Sequence, residues 1–431
     1  VDDTPRDGHR PRVVVVGGGF AGLWAVRALR RAPVDILLID RHNHHTFQPL
    51  LYQVATAGLA APSIAAPLRH ILRDQRNVTV RLGEVTHIEP ASRRLFVGDE
   101  AIPYDQLLLA TGVSHAYFGH DDWAADAPGL KTLDDALRIR ARLLTAFEQA
   151  EASSDPDEVR ALLTFVIVGG GPTGVELAGT LAEIARHTLS GEFRRIDPAS
   201  ARIVLVEAGP RVLPAFPAEL SVSAQRQLQR LGVTVLTGRP IAHVDAAGVK
   251  IGDEPLAART VLWAAGVTAS PLARSLGAPL DRSGRVQVLA DLSVPGHPEI
   301  LVAGDLASLT TTAGPVPGIA PAAKQMGGYA AQAIEARLSG RAVPAFRYRH
   351  YGLLATIGRM AAVVDLGRLR FSGLPAWWFW LLAHVYFLIG FRNRLVVLID
   401  WASAYWTYRR GARIVTAEAD SARSDSGPTV P

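Results

Sequence analysis

Residues 13–23 read VVVVGGGFAGL. Four β-branched residues in a row suit a strand buried on both faces of a parallel sheet. The next residues, Gly17-Gly18-Gly19-Phe20-Ala21-Gly22, match G-x-G-x-x-G, and 23–31 carry the apolar face of a helix. In that context each glycine has its own task. Gly17 allows the tight turn, Gly19 lets a pyrophosphate approach the backbone, and Gly22 lets helix and strand pack closely. Unpaired N–H groups and the dipole at the helix start favour negative charge there. A second apolar run, 35–39, ends in Asp40, 23 positions after Gly17. That is close to the ~20 expected for a carboxylate that accepts from a ribose hydroxyl. Strand, loop, helix and acid together imply a dinucleotide site.

The motif occurs twice. Residues 163–181 read LTFVIVGGGPTGVELAGTL, with Gly169, Gly171 and Gly174 in the three glycine positions, 152 residues after the first set. The run 202–206 closes on Glu207, 38 positions after Gly169, with the excursion 190–200 supplying the extra length. Two such units imply two nucleotides. An acid at each strand end favours a free 2′-hydroxyl over a 2′-phosphate, hence NAD over NADP at the second site. The first site is a natural place for FAD. Two further strands end in small-residue turns, Ala110-Thr111-Gly112 and Ala265-Gly266. Residues 300–306, ILVAGDL, end a strand in Gly304-Asp305, read either as a turn or as a third contact to the first cofactor.

The chain has 431 residues, enough for two or three domains. Composition is ordinary for a globular protein, 48% hydrophobic and 20% charged, with a formal net charge of +5. No basic run interleaved with aromatics points to nucleic acid. There is no cysteine. Disulfides, thiol catalysis, Cys-ligated zinc and iron–sulfur ligation are therefore excluded. Residues 1–12 are polar, so no signal peptide is expected. His42, His44 and His45 lack the spacing of a zinc pair, and no metal site is expected.

The carboxyl end differs from the rest. Five of the eight tryptophans fall within 377–406. Residues 377–391, WWFWLLAHVYFLIGF, are apolar apart from His384 but number 15, short of the ~20 that span a bilayer. A second run, 395–408, contains Asp400. Between Phe371 and Arg413 there are five arginines (392, 394, 409, 410 and 413) and one carboxylate. Interfacial aromatics and lipid-facing arginines suit two short helices lying in one leaflet. A dimer interface or a buried helical hairpin is the other reading.

Six segments together resemble the type II NADH:quinone oxidoreductases, the single-subunit, non-proton-pumping NADH dehydrogenases. They are VVVVGGGFAGL, HHTFQPLLYQVATAGL, LLLATG, FVIVGGGPTGVELAGTL, VAGDLA and IGFRNRLVVLIDWASAYWTYRRGARI. The resemblance implies an α/β fold with two Rossmann-like, glutathione-reductase-like domains and a C-terminal helical membrane-anchoring region. It implies a discontinuous FAD-binding domain, 12–155 and 269–345, an NADH-binding domain, 156–268, and a membrane-surface and dimerisation region, 346–416. Tails at 1–11 and 417–431 are read as disordered.

The implied FAD contacts are Gly17, Gly19, Phe20, Ala21, Gly22, Asp40 and Arg41, then Gln53, Thr111, Gly112, Gly304, Asp305 and Gln325. The implied NADH contacts are Gly169, Gly171, Pro172, Thr173, Gly174, Glu207, Ala265 and Gly266. Glu176 corresponds to a family glutamate near nicotinamide and flavin, or is a helix-start acid favoured by the dipole. Gln325 falls on the last Gln of the family's A-Q-x-x-x-Q segment. The first Gln is absent, since Pro321 follows Ala320, and Lys324 stands beside Gln325.

The implied reaction passes a hydride from NADH to FAD and two electrons to a membrane quinone. Lys324 is a candidate to stabilise developing negative charge. The expected setting is the cytoplasmic side of the cell inner membrane, peripheral, with a homodimer as the assembly. Lack of cysteine excludes disulfide reductases and sulfide:quinone oxidoreductases of similar layout. The alternatives are a soluble NADH-dependent rubredoxin- or ferredoxin-type reductase and a non-catalytic flavin- and NADH-binding redox sensor.

Overall fold

The computed structural model describes residues 10–312, 314–388, 391–407 and 412–415; in the last helix the side chains described are those of 394–402. The tails read at 1–11 and 417–431 lie outside that description except for residues 10 and 11, as do Arg409, Arg410 and the side chain of Arg392.

The strands that carry the argument are, in chain order, β1 (Arg12–Val16), β2 (Asp35–Asp40), β3 (Val78–Leu82), β4 (Gln106–Leu109), β5 (Thr164–Val168), β6 (Arg202–Glu207), β7 (Thr234–Thr237), β8 (Thr260–Trp263), β9 (Ser293–Val294), β10 (His297–Val302), β11 (Leu353–Gly358) and β12 (Ala361–Asp365). The helices are α1 (Phe20–Ala28), α2 (Leu51–Ala55), α3 (Leu133–Ala152), α4 (Pro172–Glu183), α5 (Ala320–Leu338), α6 (Leu374–Phe387) and α7 (Phe391–Thr407).

The chain divides into two compact units. The first comprises Val1–Thr46, Ala65–Ser114 and Val267–Tyr351. Its sheet has the order β9-β10-β4-β1-β2-β3. Val13 pairs in parallel with Ile36 and with Gln106, and Leu107 with Ile300. Only β9 runs antiparallel, on β10. The valines of β1 sit at the centre, and Val13, Val14 and Val15 are fully buried. Each such side chain contributes roughly 1.5–3 kcal/mol relative to an exposed one. Helix α5 crosses α1 so closely that a Cβ on Gly327 would stand 2.1 Å from the Ala21 carbonyl oxygen.

The second unit comprises Phe47–Ile64, His115–Gly266 and Gly352–Pro431. Its parallel sheet has the order β7-β6-β5-β8, with Val166 opposite Val204 and Val261. Residues 47–64 and 115–155, read from the sequence with the first nucleotide unit, pack within this second one. The reason is apolar: α3 lays Phe147 on Phe165 of β5, ring centroids 5.2 Å apart. Helix α3 starts at Leu133, where Thr132 and Asp135 form a reciprocal capping box.

Helices α6 and α7 belong to this unit. Helix α6 buries Trp377, Trp380 and Leu381 and turns Trp378, Leu382 and Tyr386 outward. Helix α7 buries Val397 and Trp401 and exposes Leu395, Leu398 and Ile399. No helix among the described residues is long and apolar enough to cross a membrane.

Candidate functional site

In the first unit the glycine loop is held from three sides. Gly17 has φ +105°, and a Cβ there would meet the Ala110 carbonyl oxygen at 2.4 Å. A Cβ on Gly22 would stand 1.8 Å from the Gly17 oxygen. Gly19, by contrast, faces open space with no heavy atom within 4 Å of its would-be Cβ. It is the N-cap of α1, and no side chain caps that helix start. The leading N–H groups of α1 are thus offered to an anion.

Asp40 closes β2 as expected and reaches back to the loop. Its Oδ2 accepts the Gly18 N–H at 2.5 Å and its Oδ1 accepts the His42 N–H at 2.7 Å. Arg41, beside it, is exposed. The sequence reading missed His45. Its Nδ1 donates to the Gly18 carbonyl oxygen at 2.9 Å, so the peptide groups on both sides of Gly18 are fixed by side chains. His45 is 2% exposed, and burial lowers its pKa to about 4 despite the opposing bond to Gly18. It is therefore neutral, with its proton on Nδ1 and a bare, buried Nε2. Phe20 meets its ring edge-on at 5.0 Å. His42 and His44 instead form an outer pair, ring centroids 5.5 Å apart. Nothing in the H-N-H-H run told the inward histidine from the outer two.

The other expected contacts of this unit follow β4 and β10. Thr111 has a buried hydroxyl without a hydrogen-bond partner, and Gly112, at φ +68°, borders open space. Gly304 has φ +75° and faces Ala21 and Ala323 across ordinary contact distances. Asp305 follows it in a single tight turn, Gly304–Leu306. Lys324, on α5, holds its ammonium 4.4 Å from the centroid of the Trp24 ring. Its pKa is lowered, chiefly by desolvation and then by Arg27. Gln325 uses its carboxamide on the chain itself: Nε2 donates to the Arg349 oxygen and Oε1 accepts the Arg349 N–H, both at 2.9 Å.

The second unit repeats the arrangement. Gly169 has φ +109°, and a Cβ on Gly174 would meet the Gly169 oxygen at 1.8 Å. Gly171 is an open N-cap without a side-chain partner, followed by Pro172 at the first helical position and by Thr173. Glu207 accepts the Gly170 N–H at 2.6 Å and the Gly209 N–H at 2.6 Å. The Gly170 oxygen accepts the Leu213 N–H at 2.7 Å, where the first loop uses His45. Ala265 and Gly266 follow β8, with Gly266 at φ +72°.

Glu176 lies one turn into α4 and is buried at 9% exposure. Its carboxyl accepts the Thr356 N–H of β11, and a Cβ on neighbouring Gly179 would strike the Ile357 oxygen. Desolvation raises its pKa well above 4.5. The carboxyl is thus a buried acid, its neutral form favoured by burial, and is held by β11, a contact that residues 163–181 alone do not encode.

Gln53, on α2, meets the carboxyl end. Its Oε1 accepts the indole N–H of Trp401 at 2.7 Å, and its Nε2 bonds the Tyr52 hydroxyl at 2.9 Å. Trp401 packs on Trp380 at 5.3 Å, and Trp380 on His384 at 4.3 Å. Burial lowers the His384 pKa to about 4, and its Nδ1 donates to the Trp380 oxygen.

These residues suit the two implied cofactors. Each glycine loop offers an uncapped helix start and an acid at the neighbouring strand end, and the first adds the unpartnered Thr111 hydroxyl. Among the described residues no cluster of three or more potential metal ligands occurs.

Comparison with known proteins places the chain. Residues 11–327 match the pyridine nucleotide-disulphide oxidoreductase family, and 350–410 match the NDH2 C-terminal domain. The former match describes the fold, since the chain has no cysteine for disulfide chemistry. Two Mycobacterium tuberculosis proteins named type II NADH:quinone oxidoreductase, Ndh and NdhA, are 46% and 44% identical, covering 98% and 96% of this chain and 94% and 92% of their own. The solved structure of NDH2 from Plasmodium falciparum in complex with NADH superposes with a TM-score of 0.86 at 20% identity, over 94% of this chain and all of that one. The sulfide:quinone oxidoreductase of Aquifex aeolicus shares the fold at a TM-score of 0.71 and 16% identity, over 89% and 92% of the two chains. By its sequence relatives, over nearly its whole length, the chain belongs to the type II NADH:quinone oxidoreductases.

Proposed function

We propose that the chain oxidises NADH and reduces a membrane quinone, with FAD as the bound intermediary and without proton pumping. When bound, FAD supplies the two-electron chemistry between nicotinamide and quinone. The protein supplies binding, orientation and charge. The first unit is the FAD site: the α1 N–H groups and open Gly19 receive the pyrophosphate, and Asp40 takes a ribose hydroxyl. The second is the NADH site, where α4 and Gly171 play the same part and Glu207 faces a free 2′-hydroxyl. The carboxylate of Glu207 disfavours a 2′-phosphate, which is the reason for NADH over NADPH. Glu176 places a buried carboxyl in that unit, its burial favouring the neutral form, and Lys324 provides the positive charge proposed to favour electron arrival.

The observation that carries this reading is the pairing, in one chain, of two open glycine cradles with a carboxyl end whose apolar residues face outward. Leu382, at 64% exposure, Tyr386, at 70%, and Ile399, at 61%, suit a lipid surface rather than water. Helix α6, with 14 residues, is about 21 Å long, short of the ~30 Å hydrocarbon core, so a peripheral seat follows. A quinone is apolar and resides in lipid, which gives that seat its purpose. NADH supply favours the cytoplasmic side of the inner membrane, and the same apolar face suits a homodimer. A soluble ferredoxin-type reductase leaves the outward aromatics unexplained. The test is NADH oxidation by FAD-loaded protein on lipid vesicles with and without quinone: dependence on quinone supports the reading, and quinone-independent turnover opposes it.

A further inference from the structure

Phe118 combines two unusual features. Its backbone φ is +55°, a left-handed conformation that bulky residues rarely adopt. Its ring is nevertheless 71% exposed, so burial does not compensate. The segment around it is fixed from below. The Trp263 indole N–H donates to the Ala116 oxygen at 3.0 Å, and the Tyr117 hydroxyl donates to the Ala127 oxygen at 2.8 Å. Tyr117, Trp123 and Trp263 are themselves buried together. The buried cluster holds Phe118 in its unusual backbone state and presents its ring outward. Such conformations persist where the surroundings over-determine them and recur at ligand sites.

The ring lies over Gly266. A Cβ there would stand 2.3 Å from the Phe118 Cζ, so the ring rests directly on the Gly266 backbone. Gly266 follows the carboxyl end of β8. In the sheet order β7-β6-β5-β8, β5 carries the glycine loop, with β6 on one side and β8 on the other. Ligands of such sheets lie across the carboxyl ends where the strand order reverses. A dinucleotide centred on the loop after β5 sends its adenosine half toward Glu207 on β6. Its nicotinamide half then lies toward the end of β8, where Phe118 stands.

We propose that Phe118 is the aromatic wall for the nicotinamide riboside half of NADH. This rests on the assignment of NADH to the second unit. An exposed ring seated on Gly266 and carried by a fixed backbone gives a flat apolar surface at little conformational cost, and it excludes water from one side of a packed heterocycle. The adenosine half makes no use of it.

The experiment titrates NAD⁺ and, separately, ADP-ribose into the FAD-loaded full chain by calorimetry. The variants are Phe118→Ala, Phe118→Gly and Phe118→Tyr. Phe118→Gly accepts the left-handed backbone without strain, so its melting temperature and FAD content should hold. The expected result is about tenfold weaker NAD⁺ binding in the Ala and Gly variants. ADP-ribose binding should stay within twofold, and Phe118→Tyr should match the parent. NAD⁺ binding within twofold of the parent in both truncations overturns the proposal. Parallel weakening of both ligands overturns it too, since the ring would then serve the whole site. If the parent binds neither ligand, the NADH assignment itself falls, and that is seen before any variant is made.

Discussion

Trp401 donates its indole N–H to Oε1 of Gln53 at 2.7 Å, across 348 positions of sequence. The bond ties the carboxyl-terminal helix α7 to α2, and Trp401 is 4% exposed at that point. A neutral buried hydrogen bond contributes about 1 kcal/mol, and an orphaned partner costs about 1–3 kcal/mol. Trp401→Phe and Gln53→Leu should each destabilise the fold, and the double variant should lose less than their sum by about 1 kcal/mol. A double-mutant cycle in urea measures this. Strict additivity would show that the two side chains do not support one another.

His45 should govern FAD retention. His45→Phe keeps an aromatic ring beside Phe20 but removes the donor to Gly18, so FAD should bind about tenfold more weakly. His45→Asn can restore a donor and should recover part of the loss. Flavin-to-protein absorbance after dialysis reads both. The folded pKa of about 4 lies below the ordinary 6.5. Between those values the unfolded chain binds more protons, so stability is full above 6.5 and is lost as pH falls through the window. His384 adds a contribution of the same sign. Equal FAD retention in His45→Phe would contradict the loop-holding role.

Glu176 should give the opposite slope. Its folded pKa is raised well above 4.5 by desolvation. Above 4.5 the unfolded chain releases the proton first, so stability falls as pH rises until the folded carboxyl also ionises. Glu176→Gln removes this contribution, so above pH 4.5 the melting temperature of the variant should fall less with rising pH than that of the parent. Differential scanning fluorimetry across that range is the measurement. An unchanged slope would mean that the carboxyl is ionised in the folded chain.

Lys324 should act after NADH has reacted. Lys324→Met keeps the length of the side chain and removes the charge held over Trp24. Stopped-flow absorbance should show flavin bleaching by NADH unchanged and recovery with quinone slowed about tenfold. Equal recovery rates would remove Lys324 from the acceptor step.

Much of the fold is legible in local sequence. The four valines of β1 and the TFVIV of β5 specify buried parallel strands by composition alone, and the glycines after them admit few conformations. Asp40 and Glu207 fall where strand length and helix length put them. What escapes is long-range. His45 is distinguished from His42 and His44 only by which way it faces, and that depends on the Gly18 carbonyl 27 residues away. The Glu176 carboxyl has its pKa raised by burial and is held by Thr356 of β11, far along the chain. Gln325 sits in a motif position, yet its carboxamide is taken by Arg349. The packing of 115–155 with the second sheet is likewise long-range, because Phe147 marks a helix but not the sheet on which it packs.

One chain is proposed to join NADH oxidation to a lipid-phase acceptor. The most direct measurement is anaerobic stopped-flow absorbance of the FAD-loaded protein on vesicles, mixed first with one equivalent of NADH and then with a menaquinone or ubiquinone analogue. Full flavin bleaching by NADH is expected, with NADPH far slower, followed by full recovery on quinone addition with one quinone reduced per NADH consumed. Bleaching that persists after quinone is added would contradict it.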